Sequence, residues 1–210
     1  LERYGTRSEQ CFRQTFTKDF DWFSYNFNLS ERIFKSENRK AIAIDPSYIS
    51  KSGKCTPWIG YFWSGSAGRA KKGLEITGIG LVDIDQHDCM MLKAVQSPDT
   101  VTLENYGANL NDWYLKLIEQ EQERLLAITP YIIADAFFSK QPFVSGLQEL
   151  GFHLISRLRD DANLMYIYTG ERTGKKGRPK IFDGKIDFAN LDYSHLEKLS
   201  TDENDGELYS

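Results

Sequence analysis

Two stretches, Ala41-Ile42-Ala43-Ile44-Asp45-Pro46 and Tyr131-Ile132-Ile133-Ala134-Asp135, decide how this chain folds on paper. Each is an apolar run too short for a helix and ended by an aspartate. That length favours a strand buried on both faces. Pro46 reads as the stop of the first run, because proline removes a ladder donor. Asp45 and Asp135 are thereby expected at the carboxyl ends of their strands, where open α/β sheets collect reactive groups. On neighbouring strands the two carboxylates face each other, and they repel unless a cation neutralises them. Hard oxygen donors without His or Cys suit Mg²⁺ or Mn²⁺, and such a pair can hold two ions roughly 3.5–4 Å apart. Each aspartate taken singly also fits a turn cap.

Outward from these runs the order is strand, strand, strand, strand, helix, strand, helix, strand. Ser8 to Phe16 and Phe20 to Leu29 are expected as short helices, their phenylalanines recurring at threes and fours. Pro57 to Trp63, Leu74 to Val82 and Met90 to Val95 read as strands of an antiparallel meander. The Gly-rich, basic stretch Ser64 to Gly73 is expected to be a loop joining the first two. Leu110 to Ile128 carries an apolar helical stripe that stops before Pro130, and Pro142 to Leu150 makes a helix with Gly151 as its stop. Phe152 to Ser156 returns as a strand, and Leu164 to Tyr168 is a further candidate. The fold class expected is α/β, a mixed sheet flanked by helices behind a helical N-terminal segment over residues 1–39.

The chain has 210 residues, 40% of them hydrophobic and 27% charged, enough for one core of domain size. No run approaches the roughly 18 apolar residues of a membrane span, and no signal-peptide core opens the sequence. Cys11, Cys55 and Cys89 are odd in number and widely spaced, which argues against a disulfide framework and fits a reducing cytoplasm. His87 and Cys89 are only two potential ligands, so a turn residue beside a strand residue is the preferred reading. The formal net charge of −4 hides an uneven distribution: residues 1–190 hold 25 basic and 24 acidic side chains, and residues 191–210 hold 1 and 6. Arg69, Lys71 and Lys72 form one local basic patch; Lys175, Lys176, Arg178 and Lys180 form another. Both are candidate contacts to a DNA backbone, with solvated loops as the alternative. Gly177-Arg178-Pro179 among lysines is also similar to the core of an AT-hook, whose Arg lies in a narrow minor groove.

The stretches AIAIDPSYISKSGKCTPWIGYFWSGSAGRAKKGLEITGIGLVDID and YIIADAFFSKQPFVSGLQELGFHLISRLRDDANL resemble the DDE transposases of bacterial insertion sequences, in the branch whose third acid lies in a Y-R-E-K signature. The resemblance spans roughly residues 8–180. It implies an RNase H-like catalytic core over residues 40–160, with Asp45 and Asp135 as the first two acids of a metal-binding triad. It further implies residues 161–210 as the start of a β-rich insertion bearing the basic loop and an acidic tail. DNA strand cleavage and strand transfer, with transposon ends and target DNA as partners and a homodimer as the working form, are implied with it.

One departure is plain. The only Tyr with Arg three positions on is Tyr4, before Arg7, and the place for Glu is taken by Cys11. The third acid is therefore expected downstream of Ser210. With Leu1 rather than Met at the start, the chain reads as a fragment, inactive by itself. Glu149, Glu171 and Glu197 are the nearest substitutes and none sits on a strongly predicted helix. A DNA-binding remnant without activity is the alternative function. A haloacid-dehalogenase reading of Asp45 would need an aspartate at position 47, which is Ser47.

Overall fold

A computed structural model describes residues 8–15, 18–53, 55–159, 161–171, 177–202 and 206–209. The chain divides into two compact units, Leu1–Leu158 and Arg159–Ser210. In the first unit α1 (Glu9–Thr15) and α2 (Trp22–Ser30) precede β1 (Lys40–Ser50), β2 (Gly60–Ser64), β3 (Arg69–Asp83) and β4 (Asp88–Gln96). Then come α3 (Thr100–Asn105), α4 (Leu110–Gln120), α5 (Gln122–Leu126), β5 (Tyr131–Ala134), α6 (Gln141–Glu149) and β6 (His153–Ser156). In the second unit β7 (Met165–Ile167) pairs with β8 (Phe182–Lys185), and β9 (Lys198–Asp202) with β10 (Gly206–Tyr209), both antiparallel.

The strands of the first unit form one mixed six-stranded sheet in the order β2-β3-β1-β5-β6, with β4 also on β3. This is the mixed α/β class, consistent with an RNase H-like arrangement. The expected meander is corrected in one respect. β2 and β4 both pair antiparallel with β3, but on the same edge of it, and the other edge is taken by β1, antiparallel from Lys40↔Asp83 to Ser50↔Gly73. β3 is long enough to serve three partners because its basic start, Arg69–Gly73, is strand rather than loop; the turn behind it is only Gly65–Ala67 and Gly68 at φ 59°.

Pro46 does not end β1 either. β5 pairs with β1 only at Ile42↔Ile132 and Ala43↔Ile133, so by Pro46 that flank of β1 carries no ladder and a missing N–H costs nothing there. One sheet face carries Ile42, Ile44, Ile79, Leu81 and Ile132, none more than 3% exposed, against Tyr114, Leu117 and Ile118 of α4 and Phe143 and Leu147 of α6. The opposite parity holds Ala43, Asp45, Gly78 and Gly80.

The helix expected over 110–128 is broken at Glu121. Its carboxylate accepts from Lys93 Nζ at 2.7 Å and from Arg124 Nη1 at 2.9 Å, and Arg124 reaches on to Asp21 at 2.6 Å while lying 4.3 Å over the Phe23 ring. Tertiary ion pairs thus fix a local geometry that the apolar stripe does not announce. Asp21 caps α2 by accepting from Ser24 N, and that bond, then Ser24 Oγ and Arg124, hold its carboxyl down to about 2. A depressed carboxylate stabilises the folded state above its ordinary value of 3.8, and the contribution disappears as pH falls toward 2. In urea titrations, the midpoint should therefore drop more steeply over that window in the natural protein than in Asp21→Asn; parallel slopes would exclude Asp21 as the source.

Candidate active site

β1 and β5 are parallel neighbours paired at Ile42↔Ile132 and Ala43↔Ile133, and Asp45 and Asp135 each follow the second of these pairs by two residues. Paired strands lie about 4.8 Å apart, and the two aspartates lie just beyond the stretch over which β1 and β5 are paired. Both side chains are exposed. Asp45 is not at the end of its strand as expected; it stands where the parallel pairing with β5 has given out. Its partner on β3 is Gly78, over which the Met91 thioether lies, its Cε 3.0 Å from where a Cβ would stand. Ser47 Oγ donates to Asp45 Oδ2 at 3.4 Å, a long contact.

Asp135 is held more firmly. Its Oδ1 accepts from Phe137 N at 2.9 Å, capping the single turn Ala136–Phe138, and its carbonyl accepts from Ser156 Oγ at 2.7 Å. Among the described residues no hydrogen bond engages Oδ2, which leaves that oxygen for a ligand. The turn is seated by aromatic packing: Phe138 is fully buried 4.8 Å from Phe143 and 5.2 Å from Tyr114.

Tyr114 and Glu75 escape sequence reasoning. Tyr114 Oη donates to Glu75 Oε1 at 2.7 Å, with Glu75 6% and Tyr114 1% exposed. Burial first, then Glu75, Asp135 and Asp45, push the phenol far above its ordinary value, so it is a permanent donor. Three carboxylates thus act on one buried hydroxyl. The signal that was available is parity: in Leu74-Glu75-Ile76-Thr77 the glutamate falls on the buried side of β3. Tyr114→Phe should cost about 1–3 kcal/mol in urea unfolding, because it strands a buried carboxylate. Glu75→Gln, which keeps an acceptor, should cost less, and the reverse ranking would refute the pairing.

The remaining expected residues are scattered. Lys72 lies on the Asp45 side of the sheet, whereas Arg69 and Lys71 have the opposite parity. Arg178 is exposed; Lys180 Nζ pairs with Asp183 and lies 4.8 Å over the Tyr168 ring. Lys175 and Lys176 lie outside the described residues, as do Tyr4 and Arg7. Glu149 ends α6, Glu171 and Glu197 belong to the second unit, and all three are exposed. His87 is a turn residue at φ 54° and Cys89 a strand residue. Among the described residues no group of three or more His, Cys, Asp or Glu is arranged around a metal position, and no helix is long and apolar enough to cross a membrane.

No curated protein and no solved structure matches the chain significantly. A family model described as DDE superfamily endonuclease matches residues 20–202 and so takes in both aspartates, the hairpin of β2 and β3, and most of the second unit. By the extent of that match, the chain belongs to the DDE superfamily endonuclease family.

Proposed function

We propose that this chain is catalytic core of a DNA transposase, with Asp45 and Asp135 as two of its metal-holding acids. The observation that supports the reading is the parallel pairing of β1 with β5 at Ile42↔Ile132 and Ala43↔Ile133, two residues before each of the exposed aspartates. The donor set fits a hard divalent ion: two exposed carboxylates, neither one backed by His or Cys. Mg²⁺ or Mn²⁺ held there, as one or two ions, would supply Lewis-acid charge at a phosphodiester oxygen and a hydroxide-like nucleophile at neutral pH.

The chain's own residues do the positioning. The Phe137 N–H bond holds one oxygen of Asp135 and leaves the other without a hydrogen bond among the described residues. Strand cleavage by water and strand transfer by a 3′ hydroxyl are both in-line phosphoryl transfers, so one site serves them in turn. The basic residues of the β2–β3 hairpin and of the segment around Arg178 are the proposed contacts to the DNA, and two copies holding two DNA ends the proposed working form.

The test is Mn²⁺ binding followed by electron paramagnetic resonance, alongside nicking of a labelled duplex in Mg²⁺ and Mn²⁺. Binding that disappears in Asp45→Asn with Asp135→Asn supports the site. Unchanged Mn²⁺ affinity in that double variant overturns it. Metal-independent DNA binding without cleavage at any metal concentration would instead favour the inactive DNA-binding form.

A further inference from the structure

The face of the sheet that presents Asp45 continues onto the edge hairpin. Along β2, Tyr61 and Trp63 point to one side and are 70% and 65% exposed, while Phe62 and Ser64 between and beyond them are buried. Their cross-strand partners on β3 are Lys72 and Ala70. Counting by twos along β3 from Lys72 through Leu74 and Ile76 reaches Gly78, the partner of Asp45, so Tyr61, Trp63 and Lys72 share the parity of that aspartate. Two large aromatic rings on an edge strand, in solvent, beside a lysine, contribute nothing to the core.

We infer that Tyr61 and Trp63 form a stacking subsite for an unpaired DNA base, with Lys72 as its phosphate contact, on the strand that enters the Asp45–Asp135 site. The inference rests on the proposed DNA-cleaving function and names a part of its substrate: a single-stranded or unstacked nucleotide rather than intact duplex. Three physical points carry it. Same-side residues two apart on a strand are separated by roughly 6.6 Å, twice the ~3.4 Å rise of a stacked base, so the backbone spacing admits one base between the two rings. Ala70 opposite Trp63 is too small to fill that space.

Charge is the second point. No carboxylate among the described residues pairs with Arg69, Lys71 or Lys72, so the hairpin is a net cationic tip with aromatic faces, the combination that binds single strands without sequence preference. A purely apolar protein partner would gain nothing from Lys72. Reach is the third. The six residues from Lys72 to Gly78 span about 20 Å, close to six stacked nucleotides, so the subsite lies a few nucleotides along the strand from the phosphate beside Asp45.

The experiment compares two fluorescein-labelled probes, a blunt duplex and the same duplex with a six-nucleotide single-stranded extension carrying 2-aminopurine. It is run without divalent metal, so that cleavage plays no part. The natural protein should bind the extended probe about tenfold more tightly and quench 2-aminopurine. Trp63→Ala and Tyr61→Ala should bring the two affinities to within about twofold of each other and abolish the quench, and Trp63→Phe should restore most of both. Lys72→Ala should weaken both probes alike and reduce the salt slope by about one. Equal affinity of the natural protein for the two probes overturns the subsite while leaving the DNA-cleaving reading intact. No affinity for either probe overturns that reading as well. A protein that sediments as a dimer, and as a monomer in Trp63→Ala with the probe preference unchanged, would assign the face to a second copy of the chain and end the inference.

Discussion

Replacing either Asp45 or Asp135 by asparagine should lower metal-dependent strand cleavage by about 10³-fold or more, with DNA affinity held within about twofold. The substitution preserves volume and hydrogen-bonding capacity but removes the charge that a hard divalent ion requires. Both side chains are exposed, so neither variant should lose measurable folding stability, and their thermal midpoints serve as the internal control. Asp135→Asn can still accept from Phe137 N, so the capped turn should survive and the defect should be confined to the metal. Cleavage rates are read on a labelled strand across a Mn²⁺ titration. Natural rates in Asp135→Asn at saturating Mn²⁺ would remove this residue from the reaction.

Phe138→Ala should be among the most damaging single changes in the first unit. Its ring is fully buried between Phe143 and Tyr114, three residues beyond Asp135, and deleting it leaves a void that the packed helices α4 and α6 cannot close. A loss of about 3–5 kcal/mol is expected from urea unfolding. Phe138→Leu should recover much of that. Because the same ring seats the turn that aims Asp135, the alanine variant should also lose Mn²⁺ affinity under conditions where it remains folded. A variant that is destabilised yet binds Mn²⁺ as the natural protein does would show that the turn is set by its own hydrogen bonds alone.

How much of this was legible in the sequence depends on which interactions fix each element. The runs 41–44 and 131–134 read correctly as strands because their burial is written in their composition, and the helix over 142–150 announced itself by proline at its start and glycine past its end. Pro46 misled because a proline's cost depends on whether a neighbouring strand needs its N–H, and only the topology reveals that β5 has already stopped. Arg69 to Gly73 looked like loop because Gly and basic residues are also what an exposed hairpin arm carries. The break at Glu121 was invisible, since Lys93 and Asp21 come to that carboxylate and to Arg124 from elements far away in the chain. The helix at Thr100–Asn105 was missed altogether; six residues held by an Asp99 cap show no periodicity to read. At the candidate site the two aspartates were legible as ends of apolar runs, whereas the Glu75–Tyr114 pair required knowing that α4 lies over β3. The basic residues were legible only as charge. Their division between two sides of the sheet follows from strand parity, which no composition records.

The pairing of β1 with β5 also has a kinetic meaning. β3 can zip onto β2 and β4 across short turns, and β1 joins it within the same stretch of chain, so these antiparallel contacts close small loops. β1 and β5 pair only after α3, α4 and α5 have been threaded between them, and a parallel pair with so long a crossover closes late. A nascent or partly unfolded chain therefore displays each aspartate singly. Divalent-ion affinity should appear in the last refolding phase, after most of the sheet has formed. On the proposed function, the site that breaks DNA would be complete only in the finished fold.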